Sequence, residues 1–152
     1  MKVYLAGPMA GNMDEQDYRR KIKKILKKLD IEYICPMELD FAELGKEETD
    51  RIAEVGNGHN GHTDEDIAII KKMIKRDKEA IDECNVMIAY VPFASHGTDM
   101  EIFYNSDVLN QITIIFSKSP KSWVLGMGDY FVNSYSGLER LLVDLLKIEN
   151  GD

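Results

Sequence analysis

NVMIAYVPFASHGTDME, from Asn85 to Glu101, reads as a buried strand, Val86 to Val91, that runs into a short polar turn, Ser95-His96-Gly97-Thr98, and then opens a helix. Glu101 falls in the first turn of that helix. In an open α/β sheet, ligands collect beyond the C-terminal ends of the strands, where the following helices present free backbone N–H groups. The chemistry is therefore sought at this junction.

Upstream of it, Thr63 or Asp64 caps a long helix reaching to about Cys84. Its apolar stripe runs Ile70, Ile74, Ile81 and Cys84, and the position that completes the stripe is Asp77. A carboxylate on a buried helix face is costly unless it is paired or used, and structural networks also recruit such groups. At the start of the chain, Lys2 to Ala6 is a short strand carrying Tyr4. It runs into Gly7-Pro8-Met9-Ala10-Gly11-Asn12, a glycine-containing turn that serves either as a ligand loop or as a plain strand-to-helix connection.

Asn12 and Glu15 have the spacing of a capping box. The helix they open has Tyr18, Ile22, Ile25, Leu26 and Leu29 as its apolar stripe, with Arg19, Arg20 and several lysines mostly on a solvated face. Ile31 to Cys35 is a second strand, stopped by Pro36, and this strand-helix-strand unit crosses over right-handed. Beyond the organising stretch come a helix from Thr98 to about Leu109, strands at Gln111 to Phe116 and Tyr130 to Asn133, and a terminal helix capped by Ser136 and Glu139. The alternation predicts an α/β fold: one domain over residues 1–152 with a doubly wound, mainly parallel sheet of four or five strands, flavodoxin-like or Rossmann-like.

Composition narrows the function. The 152 residues are 44% hydrophobic and 30% charged, which fits neither a disordered chain nor a membrane protein. No apolar run approaches a membrane span, no signal peptide is read at Met1-Lys2, and a cytoplasmic protein is expected. With 19 basic and 27 acidic residues the net charge is −8, which argues against nucleic acid or an anionic membrane as partner. Cys35 and Cys84 show no CxxC pattern and read as buried thiols. The His59-x-x-His62 pair in the polar loop Gly56 to His62 lacks a third ligand of matching spacing, so no metal or cofactor is expected. A metal-dependent hydrolase using His59, His62 and His96 stands as a rival to be tested with a chelator.

Thr98 and Glu101 themselves have capping-box spacing, and in that reading Glu101 only bonds back to the Thr98 N–H. The alternative depends on its company. With the first and third strands adjacent, Tyr4, Asp77 and Glu101 approach one crevice. Two carboxylates there divide the breaking of a glycosidic bond between a nucleophile and a manager of the leaving group's proton.

The Tyr4-Leu5-Ala6-Gly7-Pro8 start, Asp77 placed eight residues before Asn85, the strand Val86 to Val91, and Ser95-x-Gly97-Thr98-x-x-Glu101 together resemble the nucleoside 2-deoxyribosyltransferase family and its relatives that hydrolyse nucleoside 5′-monophosphates. The resemblance covers most of the chain from Lys2 to about Phe116. It implies that Glu101 attacks C1′ of the sugar and forms a glycosyl-enzyme intermediate, that Tyr4 orients Glu101, and that Asp77 contacts the base and helps its protonation. It implies a nucleoside or nucleotide as substrate, with a free nucleobase as acceptor in a transferase.

Ser95 departs from the transferases, which resemble one another in having an acidic residue there for the 5′-hydroxyl. The monophosphate hydrolases have a serine, which donates a hydrogen bond and adds no negative charge. The substrate-binding set implied is Gly7, Pro8, Met9, Gly11, Asn12, Ser95, Gly97 and Thr98. Ser122 joins it because family sites are completed from about this region of a neighbouring subunit, which also implies a homodimer or larger homo-oligomer. No arginine lies in the Gly7 to Asn12 turn to meet a phosphate. A non-catalytic nucleotide-binding module of the same fold is the alternative from another class.

Overall fold

The computed structural model describes residues 1–8, 17–39, 63–119 and 122–151. Five strands, β1 (Lys2–Ala6), β2 (Glu32–Ile34), β3 (Val86–Tyr90), β4 (Ile112–Phe116) and β5 (Tyr130–Val132), form one sheet in the order β2-β1-β3-β4-β5. Every pairing is parallel. This is an α/β fold with the doubly wound flavodoxin-like strand order, and its direction of winding reverses between β1 and β3. Tyr4 pairs in register with Met87, and Ala6 with Ala89.

The helices are α1 (Asp17–Lys28), α2 (Asp64–Asp82), α3 (His96–Phe103), α4 (Ser122–Leu125) and α5 (Tyr135–Asn150). Both faces of β3 are covered, which is why it reads as a continuous apolar run. On one face Val3, Leu5, Val86, Ile88, Ile114 and Phe116 pack against Tyr18, Ile22 and Leu26 of α1 and Leu138, Leu142 and Leu145 of α5. On the other, Tyr4, Ala6, Met87, Ala89 and Ile115 meet Ala80 and Ile81 of α2, Ile102 of α3 and Val124 of α4. Cys35 and Cys84 are buried free thiols. No helix among the described residues is long and apolar enough to cross a membrane.

Local chemistry fixes the ends of these elements. Thr63 caps α2, with the Asp66 N–H donating to Thr63 Oγ1 and the Thr63 N–H donating to Asp66 Oδ2 at 2.8 Å. The terminal helix is capped by Ser134 rather than Ser136: Ser134 Oγ accepts from the Gly137 N–H. The expected Asn12–Glu15 box lies outside the described residues. In α2 the expected Ile74 turns outward, 51% exposed, whereas Ile81 and, just past the helix, Cys84 are buried as expected and Ile69 and Ala80 join them. That face still includes Asp77, whose side chain is only 14% exposed.

The stretch after β3 departs most from expectation. Ser95, not Thr98, is the N-cap residue, so the helix begins three residues early and Glu101 sits in its second turn. At the other end α3 passes at Tyr104–Val108 into a π-helical turn. Asn105 explains the turn, because its fully buried side chain reaches β4. Its Nδ2 donates to Thr113 Oγ1 at 2.8 Å and to the carbonyls of Gln111 and Ile112. A wider turn brings the amide inward at the cost of regular helix, and such turns recur near functional sites.

Candidate active site

β1 carries Tyr4 into the interior, where its side chain is fully buried. The Tyr4 hydroxyl donates to Glu101 Oε1 at 2.7 Å, joining groups 97 positions apart in sequence. The geometry removes the capping-box reading of Glu101, since Thr98 lies inside α3 and its hydroxyl donates to Ser95 Oγ at 3.3 Å. Burial pushes the Glu101 carboxyl up to about 7. The Tyr4 hydrogen bond opposes that rise, the Asp77 charge adds to it, and the Arg19 and Arg76 charges oppose it. Burial and the neighbouring Glu101 and Asp77 charges also push the Tyr4 phenol up, so it stays a donor at neutral pH.

Asp77 approaches from α2. Burial raises its carboxyl, and Arg76, the residue before it, opposes the rise through a hydrogen bond and its charge. Arg76 Nε donates to Asp77 Oδ1 at 2.9 Å and Nη2 donates to the same oxygen at 2.5 Å. Tyr4, Asp77 and Glu101 thus come together from β1, α2 and α3 at the β1/β3 reversal, where doubly wound folds hold ligands.

Two neighbouring residues of α1, Tyr18 and Arg19, hold the chain as it leaves β1. Arg19, expected on a solvated face, is 3% exposed. Its Nη1 donates to the Leu5 carbonyl at 2.9 Å and its Nη2 to the Gly7 carbonyl at 2.7 Å, so it holds the chain leaving β1. The signal was in the spacing, because Arg19 precedes Ile22 and Leu26 by three and seven and so lies on the stripe. Tyr18 stacks on Tyr90 with ring centroids 4.0 Å apart and donates to the Pro8 carbonyl. A Cβ on Gly7 would lie 2.4 Å from the Tyr18 hydroxyl, so glycine is required at this close approach. Arg76 was also missed, although it is the residue next to Asp77 in α2.

At the start of α3 the Ser95 side chain makes no capping hydrogen bond to the backbone, and a Cβ added at Gly97 would meet nothing within 4 Å. Room is therefore left beside the first N–H groups of the helix. Met9, Gly11, Asn12, His59 and His62 lie outside the described residues, as does the side chain of Ser122, which opens α4. His96 is exposed at the first position of α3. Among the described residues no three His, Cys, Asp or Glu side chains gather as a metal site.

A sequence profile described as nucleoside 2-deoxyribosyltransferase matches residues 3–127, most of the chain and every strand of this site. The chain belongs to the nucleoside 2-deoxyribosyltransferase family. No curated protein matches it in sequence. Among solved structures, this deoxyribosyltransferase-family chain is similar to the 2-deoxyribosyltransferase of Bacillus psychrosaccharolyticus, with a TM-score of 0.65 at 16% identity over 91% of this chain and 90% of that one. It is also similar to the CMP N-glycosidase of Clostridium botulinum, with a TM-score of 0.53 at 17% identity over 95% and 99%. At these identities the likeness establishes the shared fold, and the family membership rests on the profile.

Proposed function

We propose that this family member cleaves or transfers the N-glycosidic bond of a 2′-deoxynucleoside or its 5′-monophosphate, with Glu101 as the nucleophile. The observation that carries the reading is the 2.7 Å hydrogen bond from the buried Tyr4 hydroxyl to Glu101 at the β1/β3 reversal. One carboxylate oxygen is fixed by that donor, and the other is the attacking atom. As Glu101 bonds to C1′, the C1′–N bond breaks and its electron pair leaves with the base. Asp77, held near the site with a raised pKa, supplies the proton the departing nitrogen needs. Water or a second base then attacks C1′, the sugar–Glu101 ester opens and the carboxylate returns. In hydrolysis the proton that water loses restores Asp77, and in transfer the incoming base's N–H does so.

Ser95 favours a monophosphate substrate. Its hydroxyl is not spent on capping the backbone, it sits at the positive end of α3, and it brings no negative charge. The fold also serves a protein whose substrate is CMP. Ser95→Asp is expected to cut kcat/KM for 5′-monophosphates about 100-fold by placing like charges together, while deoxynucleosides change far less. An unchanged ratio between the two substrate types would remove the phosphate assignment.

A second copy of the chain is proposed to complete the site near Ser122. The neighbouring Trp123 supports this, since it stands 82% exposed where a monomer gains nothing from showing an indole to water. Analytical ultracentrifugation is expected to give a dimer or larger species, and a monomer at assay concentrations would end that part of the proposal.

The main test is base release from a panel of deoxynucleosides, ribonucleosides and their monophosphates, with and without a free acceptor base. Release without acceptor assigns a hydrolase, and acceptor-dependent exchange a transferase. Binding without turnover on every member would favour the nucleotide-binding module, and activity lost to a chelator would favour the metal hydrolase.

A further inference from the structure

We propose that Arg76 is a positioning residue that occupies one oxygen of Asp77 and thereby leaves Asp77 Oδ2 as the single oxygen that handles the proton of the leaving base. The inference rests on the glycosidic reading above and concerns how its acid is aimed. Arg76 and Asp77 are consecutive in α2, and consecutive helical residues do not normally face one another. Here the guanidinium folds round so that Nε and Nη2 both converge on Oδ1, at 2.9 and 2.5 Å. Oδ2 has no partner among the described residues.

The pair is also withdrawn from water, with the Arg76 side chain 19% exposed and Asp77 14%. An exposed ion pair would swing freely and contribute little. A withdrawn one, gripped through two N–H groups on a rigid planar fork, fixes the carboxylate plane, and lysine offers no such fork. Proton delivery to a departing nitrogen depends on that plane, because the donor oxygen must lie within hydrogen-bond reach of the atom it serves. Asp77 alone has two equivalent oxygens and a free torsion. With Arg76 attached, one oxygen and one direction remain.

The leaving group separates this role from plain structural support. An ordinary purine deoxynucleoside needs a proton as its base departs. An N7-methylated purine deoxynucleoside already carries positive charge on the base, which leaves neutral without one. Arg76→Lys and Arg76→Gln are expected to lower kcat on the ordinary substrate about 10-fold and about 100-fold respectively, a scale typical of a misaimed catalytic group. On the N7-methylated substrate both should stay within about twofold of the unmodified enzyme. Equal losses on the two substrates would overturn the proposal in favour of a folding role, and no loss on either would overturn it outright. Should the unmodified enzyme release base from neither these purines nor any other member of the panel above, the glycosidic reading falls and this proposal falls with it. Activity of that enzyme combined with insensitive Arg76 variants would remove this proposal alone.

Discussion

Glu101→Gln is expected to lose about 10⁴-fold in base release, because the substitution keeps the shape and the Tyr4 hydrogen bond while removing the nucleophile. Mass spectrometry should find a sugar adduct on Glu101 of the unmodified enzyme and none on the variant. The unmodified enzyme's pH profile adds a second reading. The reaction needs Glu101 ionised and Asp77 protonated at once, so kcat/KM follows a bell, with the Glu101 pKa of about 7 setting one limb and Asp77 the other. An enzyme that retains full activity as the amide, or whose rate is flat from pH 5 to pH 8, does not use Glu101 as its nucleophile.

The same substitution should stabilise the protein. Glu101 titrates at about 7 when folded against an ordinary value of 4.5, so between those values the folded chain binds the extra proton. Stability therefore falls as pH rises through this window, and the full penalty persists above it. At about 1.4 kcal/mol per unit, the ionised carboxylate costs the fold about 3 kcal/mol. Glu101→Gln should thus unfold several degrees higher than the parent at pH 8, with the difference vanishing below about pH 4.5. Calorimetry at the two pH values checks both the size and the sign. A variant less stable at pH 8 would mean that the charge is held by more favourable contacts than burial allows. A site that destabilises its own fold is a known trade between stability and activity.

The sheet was readable because its signals are local and redundant. Val86 to Tyr90 is apolar throughout, Pro36 ends the second strand, and Thr63 marks the start of α2. Asp77 was legible as a carboxylate on an apolar stripe, and Tyr4 and Glu101 joined it through the adjacency of the first and third strands and the family resemblance. The start of α3 was misjudged because Thr98 and Glu101 satisfy a local capping rule that the backbone does not use. Ser95, with no side-chain capping bond, leaves no such trace. Arg19 and Arg76 were hidden for a related reason. A long cationic side chain at the edge of a stripe looks alike whether it snorkels to water or turns inward to carbonyls or a carboxylate. Asn105 gave no signal at all, because the partners that draw it inward lie on another strand.

The Tyr4–Glu101 hydrogen bond closes a loop of most of the chain, since its partners are 97 positions apart. Helices form in microseconds, but contacts of such high sequence separation wait for the parallel strands β1 and β3 to find one another. The Glu101 carboxylate is therefore held in place only late in folding. On refolding, catalytic competence should return with the slowest recovery of the sheet and never with the early helical signal. A nascent or partly folded chain would carry Tyr4 and Glu101 and still not have brought them together.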